Sequence, residues 1–97
     1  MRELRAYKDL EPTYNELAKA LKKLGFKNRS TEELWAYANE KTGSIVVLPL
    51  KSDNDPVHKA NFASLSWTLE GQGVLQHEYD LGKLIEQMRL AEKQPSA

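Results

Sequence analysis

The sequence predicts an α+β domain: a small antiparallel sheet of about three strands packed on one side by helices, in the order α-β-β-β-α-α. The prediction rests on three features. A T-x-x-E motif at Thr13–Glu16 opens an apolar stripe of helical period. Two strand-like runs, 34–39 and 44–50, flank a loop that ends in Gly43. Two further periodic segments follow, separated by Gly71-Gln-Gly73.

The first helix spans about Thr13 to Leu24. In its capping box the Thr13 and Glu16 side chains each satisfy a free amide at the helix start. Tyr14, Leu17, Ala18, Leu21 and Leu24 recur at helical spacing and form one face, with Lys19, Lys22 and Lys23 on the other. Gly25 is the natural stop. Phe26 to Ser30 reads as a short strand segment. Leu34 to Asn39 is a strand with Trp35 and Tyr37 on one face and Leu34, Ala36 and Ala38 on the other. After the Glu40–Gly43 loop comes Ser44 to Leu50, rich in β-branched residues. Both strands carry apolar side chains on both faces. Helices can cover one face; the other must be covered as well or serve as a binding surface.

Lys51 to Pro56 is a polar loop, from which Asp55 is expected to cap a second helix with Pro56 in its first position. That helix runs to about Glu70 and has two apolar arcs. Phe62, Leu65 and Leu69, the bulkier set, are the expected core face; Ala60, Ala63 and Trp67 form the other, with Lys59, Ser66 and Glu70 as a solvated strip. Ala63, Leu65, Trp67 and Leu69 also alternate, so a strand is the competing assignment over 57–70. A last helix starts near Asp80 and buries Leu81, Leu84, Ile85 and Met88, leaving a tail from Lys93 to Ala97.

The 97 residues suit one domain, with a core over about 12–92 and short flexible termini. Without cysteine, neither a disulfide framework nor a thiolate metal site is open to the chain. Met1–Pro12 has no apolar core of the kind a signal peptide needs, and the longest apolar run, Ile45–Leu50, is far short of the ~20 residues that span a bilayer. A cytoplasmic protein with no membrane partner is the expectation. Lys+Arg and Asp+Glu each number 14, so no global field draws the chain to nucleic acid, and no DNA partner is expected. Locally the balance shifts. Lys19, Lys22, Lys23, Lys27 and Arg29 lie in a stretch without an acid, an ordinary solvated face or an RNA-binding one.

No catalytic constellation stands out. Asp53, Asp55 and His58 read as a capped loop rather than a metal site, and His77, beside Glu78 and Asp80, as a surface histidine. Gly71-x-Gly73 lacks the third glycine and the lysine of phosphate-cradling loops. No metal and no cofactor is expected. Trp35, Tyr37, Phe62 and Trp67 hold much of the burial energy open to so small a chain. Core packing is the first explanation for them. The candidate protein-contact residues are Trp35 and Tyr37, should they occupy the open sheet face, and Trp67 beside Ala60 and Ala63.

The helix ending Leu21-Lys-Lys-Leu-Gly-Phe26, the short segment with Arg29, and the strand Ile45-Val-Val-Leu-Pro49 resemble the HicA (YcfA-like) domain over roughly Tyr14 to Leu69. The resemblance implies a helix, a three-stranded antiparallel sheet and a closing helix, related to the double-stranded-RNA-binding fold. Members known as toxins are messenger-RNA ribonucleases held inactive by an antitoxin partner. The family's Gly-Ser/Thr-His run begins its middle strand and supplies the catalytic histidine. Here that histidine falls on Leu34 or Trp35, after Glu32 and Glu33, and no histidine occurs between Met1 and Val57. Neither residue can exchange the 2′-hydroxyl proton as an imidazole does. The helix after Gly73 is a second departure. The combined expectation is a non-catalytic binding or regulatory domain acting through an unidentified protein partner. RNA binding by the basic face is the alternative, and a ribonuclease using His58 or His77 stands behind both.

Overall fold

The computed structural model describes residues 11–93; Met1–Leu10 and the tail 94–97 lie outside the described residues. Helix α1 (Tyr14–Lys23) leads into the short strand β1 (Lys27–Asn28), then the hairpin of β2 (Leu34–Asn39) and β3 (Ser44–Pro49), then helices α2 (Lys59–Gly71) and α3 (Asp80–Lys93). The three strands form one antiparallel sheet in the order β1-β2-β3. The α+β class and the element order are those the sequence predicts. Among the described residues no helix is long and apolar enough to cross a membrane.

The capping box forms as expected: the Thr13 amide donates to Glu16 Oε1 at 2.9 Å and the Glu16 amide donates to Thr13 Oγ1 at 3.1 Å. Two more of the orphan amides at this helix start find carbonyls outside the helix, Tyr14 at Asp55 (2.9 Å) and Asn15 at Asp53 (3.0 Å). The buried stripe of α1 is Tyr14, Leu17, Ala18, Ala20 and Leu21. Past Leu24, Gly25 takes φ +95°, in the left-handed region a glycine enters without strain. Asn39, buried at the end of β2, donates from Nδ2 to the Leu24 carbonyl and accepts at Oδ1 from the amides of Lys41 and Thr42. One side chain thus satisfies the end of α1 and shapes the hairpin turn, where Gly43 has φ +74°.

The segment 53–57 departs from its expected form. Asp55 does not cap a helix; its carboxylate accepts from the Ser52 amide at 3.0 Å, and Pro56 bridges to Thr13. Extended pairing with the start of α1, closed by the Val57 amide on the Pro12 carbonyl (2.7 Å), holds these residues out of helical geometry. Helix α2 therefore begins later, capped by His58, whose Nδ1 accepts from the Ala60 amide at 3.1 Å. The open choice over 57–70 falls to helix. Its core face carries Phe62 and Leu69, fully buried, with Leu65 half-buried. Ser66, expected on a solvated strip, is buried instead, and its hydroxyl donates to the Phe62 carbonyl at 2.9 Å so that no polar atom is stranded. Glu70 is half-buried and accepts from the Glu78 amide.

Helix α3 buries Leu81 and Ile85 completely, with Leu84 and Met88 packed against the same core. It is tied to α1 by Arg89, whose Nε and Nη2 donate to the two oxygens of Glu16 at 2.6 and 2.8 Å. This fork geometry is the strong form of a charge-assisted contact. It holds the Glu16 carboxyl below its ordinary range, against the opposing effect of burial, and raises Arg89.

Candidate protein-contact surface

All three helices contribute to the one core beneath the sheet, and strand alternation decides which side chains reach it. Trp35, Tyr37 and Val46 point into the core. Trp35 meets Tyr14 edge-on with centroids 5.4 Å apart and tilts against Tyr37 at 4.6 Å. The placement corrects two of the sequence-derived contact residues: Trp35 and Tyr37 lie under the helices, where a docking partner has no access to their ring faces. Burial, with Asp53 next in effect, pushes the Tyr37 hydroxyl above its ordinary range, and burial with Asp55 does the same for Tyr14.

The opposite face is built from the alternate residues. Leu34, Ala36 and Ala38 of β2 stand opposite Pro49, Val47 and Ile45 of β3. Among the described residues no element covers them, and Ile45 is 65% exposed, Val47 51% and Leu34 46%. Leu50 continues the patch past the strand end at 47%. This contiguous apolar strip over β2 and β3 is bordered by charge only on the β1 side, where Lys27 stands opposite Ala38 and Arg29 pairs with Glu40, and such a strip left in solvent marks a contact surface. Beside it, between the free edge of β3 and α2, runs a groove of about 290 Å³ lined by Ile45, Val47, Leu48, Asn61, Leu65 and Thr68.

Trp67, by contrast, stands where the sequence puts it. It projects from α2 on the side away from the core and is 67% exposed, with Ala60 and Ala63 also in solvent. The indole and the groove diverge around α2: Asn61 and Leu65 lie roughly 120–160° from Trp67, while Ser64, roughly 60° away, borders both.

The basic residues scatter. Lys19 pairs with Glu92 at 3.0 Å and Arg29 with Glu40 at 3.1 Å, so two of the group are matched by acids from elsewhere in the chain. Lys22, Lys23 and Lys27 are exposed. Lys22 also enters a cavity of about 340 Å³ with Lys51, Asp53, Asn15 and Asn28, at the margin of Trp35 and Tyr37. Lys19, Lys22 and Lys23 line a shallower groove of about 400 Å³ against Met88, Ala91 and Glu92.

At the position where the resemblance places a catalytic imidazole, Leu34 is on the open face and Trp35 in the core, and Glu32 and Glu33 are in solvent. The two histidines serve local backbone. His58 caps α2; His77 Nδ1 accepts from the Tyr79 amide at 3.2 Å, and its ring stacks on Tyr79. Among the described residues no three His, Asp or Glu side chains gather as a metal centre would require. Comparison with family models, with curated proteins and with solved structures returned no match.

Proposed function

We propose that this chain is a non-catalytic binding or regulatory domain, on a scaffold similar to HicA domains, that works by docking another protein. The observation that carries this reading is the uncovered apolar sheet face of Leu34, Ala36, Ala38, Ile45 and Val47. Burying such a face in a partner gains roughly 25 cal/mol per Å² of apolar surface removed from water. Trp67 offers a second anchor, since an exposed indole among small side chains lets a partner close around it. Affinity capture from the native host tests the reading. The native chain should retain a defined protein that Leu34→Lys loses while its thermal midpoint stays in place. Equal capture by both would remove the sheet face from the account.

RNA binding is the second reading, favoured by one observation: Lys22 and Lys51 line one cavity together with Asn15 and Asn28, cations and amides that suit a phosphate. A complex whose affinity falls steeply with salt, and that Lys22→Glu with Lys23→Glu weakens, would promote it. On either reading single-stranded RNA should survive incubation with the protein. Cleavage abolished by His58→Ala or His77→Ala would instead make the chain a ribonuclease.

A further inference from the structure

We infer that β3 is a self-pairing edge: two copies of this chain join β3 to β3 antiparallel about a two-fold axis, making one continuous sheet. In β2, Leu34 and Ala36 turn their carbonyls towards the β1 side, accepting from Thr31 (2.8 Å) and Arg29 (2.7 Å). Trp35, Tyr37 and Asn39 therefore bond towards β3, and their opposite numbers Leu48, Val46 and Ser44 bond back. That leaves the amides and carbonyls of Ile45 and Val47 pointing outward along the free edge, with no partner among the described residues. Proteins usually blunt such an edge with a charge, a bulge or an early proline. Here the pairing is regular, Thr42 to Leu50 holds no charged residue, and proline arrives only at Pro49.

Those features select a second copy as the occupant. Pro49 has no amide to give, so the register that uses both outward amides sets Ile45 against Val47 of the mate and Val47 against its Ile45. Each residue then donates to and accepts from its opposite number, and a β-branched pair packs across the seam on the open face. The stretch is uncharged and the chain as a whole has net charge zero, so two copies meet without repulsion, whereas an acidic or basic peptide finds no counter-charge there. The groove beside the edge is walled on α2 by Asn61, Ser64, Leu65 and Thr68, again without charge. The dimer would double the open apolar face proposed above as the protein-contact surface. It rests on that reading only in treating the sheet as a contact surface.

Sedimentation equilibrium of the full chain from about 1 to about 500 μM, the range suited to an interface below standard size, tests this. The mass should rise with concentration from one copy to two. Val47→Pro removes an outward amide without touching the β2 ladder, and Ile45→Lys sets a charge on the seam; both should stay monomeric with the native thermal midpoint. Hydrogen exchange of the native chain gives a reading independent of any variant: the Ile45 and Val47 amides should slow as concentration rises. A monomer at every concentration, a dimer that survives both variants, or protection of those amides that ignores dilution would each overturn the proposal. A monomer that still captures a protein through Leu34 would end the dimer and leave the docking reading standing.

Discussion

The two faces of the sheet are made from the same two strands and both carry apolar side chains, yet they have opposite fates. Trp35, Tyr37 and Val46 are 3–6% exposed, while Ile45 and Val47, which flank Val46 in sequence, are 65% and 51% exposed. Alternation by itself sorts residues into two sets. It does not say which set is inside, because both are apolar. The aromatic pair lies inside because it meets Tyr14 at the start of α1, and a helix pinned by a capping box and by the 53–57 segment can lie on only one side. Apolar character therefore marks what is able to bury, and the position of the helices decides what is buried.

Substitutions on the covered face should have the largest effects. Trp35→Ala empties the centre of an aromatic cluster and should cost about 3–5 kcal/mol, and Leu21→Ala, fully buried on α1, about 2–5 kcal/mol. Denaturant unfolding measures both. A loss below about 1 kcal/mol for either would mean the comparison has its inner face wrong.

The clamp that holds the helices over that face comes next. Glu16→Gln keeps the shape of the side chain but removes the charge shared with Thr13 and Arg89, and should cost about 1–3 kcal/mol at neutral pH. The Arg89 hydrogen bonds, with help from Thr13, lower the Glu16 pKa in the folded state. Its contribution is therefore complete above the unfolded carboxylate pKa of about 4.3 and is lost as pH falls through the lower folded value. Thermal midpoints of native and Glu16→Gln protein should converge on acidification, and a gap that persists unchanged to low pH would show that the ion pair is not its source.

The smallest effects belong to the uncovered surfaces. Val47→Thr preserves the β-branch on the open face, and Trp67→Ala removes an exposed ring; each should change stability by about 0.5 kcal/mol or less, read as a midpoint within a few degrees. A ten-degree fall for Trp67→Ala would place that indole in a packed contact and make the contrast between faces weaker than it looks. Because both variants leave the fold intact, a loss of partner capture in either would assign the contact to that surface.

Much of this fold could be read from the chain because its determinants are local. The Thr13–Glu16 box, the Gly25 and Gly43 positions, the hairpin alternation and the Phe62, Leu65, Leu69 arc each lie within a few residues, and the periods of helix and strand turn them into elements and faces. Trp67 was legible as an outward residue on the same ground, because two arcs on one helix cannot both face one core. What tertiary structure alone decided involves residues distant in sequence. Arg89 grips Glu16 from 73 positions away, Asn39 stitches the end of α1 to the hairpin, and Ser66 is buried although its hydroxyl reads as surface. The start of α2 moved to His58 because Asp55 and Pro56 were already engaged with α1. No local pattern could reveal that competition, since a cap and an extended bridge use the same aspartate–proline pair, and only the nearness of a second chain segment decides between them.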